Sequence, residues 1–184
     1  MDTRPHAKDV LINLLAFQAA WLSLVLGAAG GNALAGLAGA LSAMAIHLVR
    51  SPDNISELKL MTSALVLGAF VESALMAGGL IAFGQNGLLS APLAPLAPIW
   101  LLALWPAFAT LLNVAFRGFR QWTVAAVVFG GLIVPVAYYA GAKLGAMILP
   151  EPPFRGLLAI GLAWALALPL LFTLARRWDG WRQA

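Results

Sequence analysis

The chain has 184 residues, of which 62% are hydrophobic and only 10% are charged, whereas soluble domains carry roughly 25% charged residues. This composition excludes a water-soluble globular protein. The formal net charge is +4, but the Lys and Arg residues lie between apolar blocks, as in membrane-protein loops, and form no basic patch of the kind that binds nucleic acid.

Six apolar segments predict transmembrane helices, because a span needs roughly 20 apolar residues and lipid offers no partners for unpaired backbone amides. The residues Gly30, Gly31 and Asn32 predict a tight turn that joins the first two helices into a hairpin. The segment 84–97 contains Pro92 and Pro95, is followed by Pro98, and predicts a loop. We therefore expect an all-α bundle in one membrane domain, residues 1–184, with spans at about 10–29, 33–49, 58–83, 98–116, 122–142 and 154–174.

The basic residues are distributed unequally between the two sides of this predicted bundle. If the N-terminus is inside, only Lys143 and Arg155 fall on the outer side. An excess of Lys and Arg in short loops marks the cytoplasmic side, so both termini are expected in the cytoplasm. The inner side then holds Arg4, Lys8, Arg50, Lys59, Arg117, Arg120, Arg176, Arg177 and Arg182.

Five stretches of the sequence resemble an uncharacterised family of bacterial inner-membrane proteins, a domain of unknown function. They are residues 13–21, 57–60, 68–73, 98–105 and 138–146. The resemblance implies a multi-pass protein of the bacterial inner membrane. It also implies a link to lipid, because members of the family resemble proteins encoded beside lipid-modifying enzymes.

This chain departs from the resembled family in two places. The family usually has Asp where this chain has Glu72, which keeps a carboxylate. It usually has Asn-His-Ser where this chain has Asn113, Val114 and Ala115, so no role of that His carries over.

Glu72 is the most informative polar residue, because it lies inside the third predicted span. A charge at mid-membrane costs roughly 2.5–3.5 kcal/mol on insertion scales. Two interpretations stay open: a functional carboxylate that faces the bundle interior, and a structural group held by hydrogen bonds. In either case we expect Glu72 within side-chain reach of Lys143 or Tyr138, with the third and fifth spans as neighbours.

Other polar residues in the predicted spans complete a candidate intramembrane site. Asn13 and Gln18 lie in the first span, and Asn113 lies near the inner end of the fourth; such amides commonly bond between helices. Lys143 has an alternative role as a side chain that extends to the outer interface. His47 is expected at the inner interface and not as a ligand.

No metal site, cofactor site or catalytic set is expected. The chain has no cysteine and two histidines that are far apart in sequence, so thiolate and His-based metal sites are excluded or disfavoured. It contains no Ser-His-Asp set, phosphate-binding loop or HExxH motif.

Gly141 and Gly145 have the spacing that permits close helix packing, so Gly141→Leu is expected to disturb folding. Pro106, Pro135 and Pro169 fall inside predicted spans and are expected to kink them, which could open an internal cavity.

The sequence supports three functional hypotheses. The first is an accessory protein of lipid binding or lipid metabolism, whose partners are membrane lipids, since basic inner loops attract anionic headgroups. The second is a small-molecule transporter or its substrate-binding subunit, with a membrane protein as partner. The third is a membrane enzyme acting on lipid, with Glu72 as general acid or base; the absence of a recognisable nucleophile disfavours it.

Overall fold

A computed structural model describes residues 5–84, 92–93 and 95–182. This part of the chain is α-helical and has no strands, as the sequence predicts. The predicted loop at 84–97 lies partly outside the described residues. The helices are α1 (Ala7–Ala29), α2 (Ala33–Arg50), α3 (Asn54–Ala77), α4 (Ile99–Ala109), α5 (Thr123–Val128), a π-helical segment (Phe129–Ile133), α6 (Val134–Lys143) and α7 (Phe154–Arg177).

Within the described residues, five helical units are long and apolar enough to cross a membrane. They are α1, α2, α3, α7 and the continuous unit formed by α5, the π-helical segment and α6. The shorter α4 is also apolar and is largely buried against the others. The chain therefore has the architecture of a multi-pass membrane protein.

The predicted hairpin of α1 and α2 is present. Gly31 takes a positive φ of 71°, which glycine adopts without steric cost, and the Asn32 side chain accepts from the Ala35 amide to cap α2. Ser23 donates its hydroxyl to the Gly36 carbonyl across the pair at 3.2 Å. A Cβ on Gly36 would meet the backbone of α1, so the small residue is what allows these helices to pack closely.

The third helix is offset from its predicted bounds of 58–83. It begins at Asn54 because Asp53 accepts from the Ile55 and Ser56 amides, both at 3.1 Å. It ends at Ala77, before Gly79, whose φ of 66° is incompatible with a continuing helix.

The fourth predicted span, 98–116, is regular only over α4. Residues 110–121 continue as tight turns whose backbone hydrogen bonds mostly join residues three apart. Polar side chains bond to the local carbonyls: Thr110 donates to the Ala107 carbonyl at 2.7 Å, and Asn13 donates to the Thr110 carbonyl at 3.0 Å.

Segments that are far apart in sequence meet at the two ends of the bundle. At one end, the Asp53 amide donates to the Gly180 carbonyl at 2.9 Å, and Arg117 bonds to Asp179 at 2.8 Å. At the other end, Ala82 and Ile148 exchange backbone hydrogen bonds of 2.9 and 2.7 Å. The segments predicted to be cytoplasmic therefore lie together.

Candidate functional site

Glu72 lies on the buried face of α3 and is 0% exposed. Its Oε1 atom accepts from Trp105 Nε1 at 3.0 Å and from the Tyr138 hydroxyl. The same hydroxyl accepts from Trp164 Nε1 at 3.2 Å. The carboxyl group is thus held by side chains from α4 and α6, with α7 behind them.

The packing around Glu72 depends on a glycine one turn earlier in α3. A Cβ on Gly68 would overlap the indole of Trp105, so glycine makes room for that ring beside the carboxyl group. Trp105 in turn stacks on Trp164, with ring centroids 4.3 Å apart and planes 22° apart. Stacking and hydrogen bonding together fix the orientation of both indoles.

The second carboxyl oxygen of Glu72, Oε2, is buried without a hydrogen-bond partner. Within the described ranges, no Lys, Arg or His lies at ion-pair distance from it. An unpaired carboxylate is costly to bury, and a neutral carboxylic acid much less so. The carboxyl group is therefore held by hydrogen bonds to Trp105 and Tyr138 and not by an ion pair.

A cavity of about 470 Å³ lies beside this cluster, within the size range of small-molecule sites. Its rim includes exposed apolar residues: Leu14 of α1, Ile133 of the π-helical segment and Val136 of α6. The lining residues are almost all apolar or aromatic, and include Phe17, Gln18, Trp21, Val25, Trp100, Leu104, Trp105, Phe108, Phe116, Phe129, Ala137, Tyr138, Gly141 and Trp164.

The cavity is elongated along the helices. On α1 it is lined from Leu14 to Val25, a length of roughly 16 Å at the rise of an α-helix. That is about half the thickness of a bilayer core. An extended chain fits this shape better than a compact molecule.

A second buried polar cluster lies at the end of the bundle predicted to be cytoplasmic. Glu57, also 0% exposed, accepts from Asn113 at 2.7 Å and from the Gly180 amide at 2.9 Å. His47 Nε2 is 2.8 Å from its other oxygen. Asn113 also donates to the Trp178 carbonyl at 2.8 Å. Glu57 therefore ties the C-terminal segment to α2 and α3.

Two arginines extend this cluster. Arg120 bonds to Asp179 at 2.6 Å and also to the Asn113 side chain, while Arg117 bonds to the other Asp179 oxygen at 2.8 Å. Burial raises the pKa of Asp179, but the hydrogen bonds and positive charges of Arg120 and Arg117 outweigh it and hold the pKa below its usual range.

Comparison with known families identifies the chain. A family described as a protein of unknown function (DUF2878) matches residues 10–170. The chain belongs to the DUF2878 family. This confirms the resemblance to a domain of unknown function. No curated protein and no solved structure matches the chain.

The DUF2878 chain brings only some of the predicted site residues together. Tyr138 is in contact with Glu72, and Gln18 lines the adjacent cavity. Of the two partners expected for Glu72, Tyr138 is therefore the one in contact. Lys143 is exposed, and its Nζ lies 5.2 Å from the Tyr139 ring centroid. α3 packs against α4 and α7, and it is the long Tyr138 side chain that reaches Glu72 from α6.

Asn13 and Asn113 lie away from the Glu72 site of this DUF2878 chain. Asn113 bonds to Glu57, and Asn13 approaches His47 Nδ1 at 3.5 Å. His47 lies at the end of the bundle predicted to be cytoplasmic, where its ring is only 4% exposed and packs against Trp181.

Sequence reasoning missed Glu57, Arg120 and Asp179 as buried groups. Each lies at the end of an apolar segment, where a charged residue is normally assigned to a loop. The partners of these residues are far away in sequence. No local pattern could have found them. Among the residues that the structure describes, no group of three or more His, Cys, Asp or Glu side chains could hold a metal ion.

Proposed function

We propose that this protein is a lipid-binding accessory protein of the bacterial inner membrane that holds one chain of a membrane lipid in the cavity beside Tyr138. The supporting observation is the cavity itself, which is elongated, lined by apolar and aromatic side chains, and rimmed by exposed apolar residues. A lipid chain that enters the cavity leaves the other lipids and contacts aromatic side chains of the protein instead.

The position of the rim supports a lipid as the occupant. Leu14, Ile133 and Val136 are 39%, 53% and 61% exposed on helices apolar enough to cross a membrane. With six crossings and both termini in the cytoplasm, as the loop charges favour, the rim lies in the hydrocarbon. A lipid chain can then enter sideways without crossing water.

Native mass spectrometry of the purified protein tests this proposal. Ala137→Trp places a large ring in the cavity wall, whereas Leu166→Trp changes an α7 residue that is 78% exposed and does not line the cavity. The wild type and Leu166→Trp should retain a bound lipid, and Ala137→Trp should lose it. Equal lipid retention in all three proteins, or the same lipid signal from an unrelated membrane protein, would refute the proposal.

A further inference from the structure

If the apolar helices cross the bilayer as proposed, polar groups line the cavity at a depth where the bilayer contains only hydrocarbon. Gln18 is the central residue of α1 (Ala7–Ala29). Tyr138 lies five residues before the end of α6 at Lys143, roughly 8 Å along the axis. Headgroups and ester carbonyls lie outside the hydrocarbon core of about 30 Å, so neither residue is placed to meet the head of a lipid.

These polar groups also have unused hydrogen-bonding capacity. The Tyr138 oxygen donates to Glu72 and accepts from Trp164, which leaves one of its two lone pairs free. Among the contacts of the described residues, the Gln18 amide has no hydrogen-bond partner, although it lines the cavity. Glu72 Oε2, directly behind Tyr138, is unpartnered as well.

We infer that the lipid held in this cavity carries an oxygen group, such as a hydroxyl, near the middle of its chain. This inference rests on the proposed function and specifies its ligand class. A hydroxyl donates one hydrogen bond and accepts others, so its chemistry suits either polar group of the cavity lining, the free lone pair of Tyr138 or the amide of Gln18. A saturated chain would leave the Gln18 amide unpaired in hydrocarbon, which is unfavourable, and the second lone pair of Tyr138 unused.

The arrangement of Glu72 and Trp164 explains why Tyr138 is suited to this role. Both groups bond the same hydroxyl, so the Tyr138 O–H points away from the cavity toward Glu72 and presents an acceptor to the ligand. Tyr139, its neighbour in sequence, is 43% exposed and lies beneath Lys143. The two tyrosines therefore provide a matched pair for testing.

The test is a competition between two phospholipid probes with the same headgroup and chain length, one with saturated chains and one with a mid-chain hydroxyl. Binding is measured in lipid nanodiscs by displacement of a fluorescent phospholipid. The wild type should prefer the hydroxylated probe by about fivefold to tenfold, the effect of roughly one hydrogen bond. Tyr138→Phe should abolish the preference, and Tyr139→Phe should keep it.

The outcomes separate this inference from the proposed function. Equal binding of both probes by the wild type, or a preference that survives in Tyr138→Phe, would overturn the inference while leaving lipid binding intact. Binding of neither probe would overturn the proposed function itself. If Tyr138→Phe does not fold, Gln18→Leu replaces it, because Gln18 is exposed on its helix and its loss should reduce the same preference; an unchanged preference would count against the inference.

Discussion

At the residue scale, Glu72 is structured as a hydrogen-bond acceptor and not as a member of an ion pair. It accepts hydrogen bonds from Trp105 and Tyr138, whereas Lys143 lies over the ring of Tyr139. The sequence alone identifies Glu72, because a single carboxylate within an apolar run must have a reason to be there. It leaves two partners open, because the choice between Tyr138 and Lys143 depends on the rotation of one helix.

Substitutions at Glu72 should separate these roles. Glu72→Ala leaves the buried donors of Trp105 and Tyr138 without their acceptor and should destabilise the protein by about 2–6 kcal/mol, since each buried donor left unpaired costs roughly 1–3 kcal/mol. Glu72→Gln keeps an acceptor oxygen and should change stability by less than about 1 kcal/mol. Lys143→Met serves as the control and should melt like the wild type in detergent. A clear loss of stability in Lys143→Met would instead indicate that Lys143 forms an ion pair with Glu72.

Asp179 predicts an acid-sensitive contribution to stability. Its pKa is lowered in the folded protein by Arg120 and Arg117, against the effect of burial. A group with a depressed folded pKa stabilises above its unfolded pKa of about 3.9 and loses that contribution as the pH falls through the folded pKa. The melting temperature of the wild type should therefore decrease when the pH is lowered below about 4. Asp179→Asn should be less stable at neutral pH and should show a smaller acid-dependent decrease; an equal decrease would contradict this role.

At the element scale, apolar segments of the sequence predict the helices but do not predict how the helices pack. The break after Ala109 and the π-helical segment Phe129–Ile133 lie beside Pro106 and Pro135, which are expected to kink their spans, but the sequence does not predict the form of either irregularity. Both depend on tertiary contacts: Asn13 bonds to the Thr110 carbonyl from α1, and Gly130 packs against the backbone of α7. The glycine spacing at Gly141 and Gly145 indicated close packing, but a Cβ on Gly141 would meet open space, so that interpretation was wrong.

Two glycine substitutions in the fifth span test this packing. Gly130→Ala places a methyl group against the carbonyl of Trp164, so it should separate the π-helical segment from α7 and lower the melting temperature. Gly141→Ala adds the same methyl group where no atom lies within 4 Å, and it should leave the melting temperature within error of the wild type. Equal effects of the two changes on the melting temperature in detergent would show that the π-helical segment does not pack closely against α7.

At the scale of the whole molecule, two features favour six crossings with both termini in the cytoplasm. They are the unequal distribution of Lys and Arg between the two sides and the position of successive connecting segments at opposite ends of the bundle. Reporter fusions after Ser51, Gly118 and Arg177 should then report a cytoplasmic location, and a fusion after Pro152 should report a periplasmic one. A periplasmic signal after Gly118 would contradict the fourth crossing, which is assigned to the short apolar helix α4.

The central claim is that the cavity retains a lipid chain, and site-specific photocrosslinking tests it most directly. A benzophenone amino acid at Leu104, which lines the cavity, is compared with one at Leu166 on the exposed face of α7. The proteins are purified in detergent, irradiated and weighed by mass spectrometry. We expect a lipid adduct at Leu104 and none at Leu166, where detergent replaces bulk lipid. No adduct at Leu104, or equal adducts at both positions, would contradict the claim.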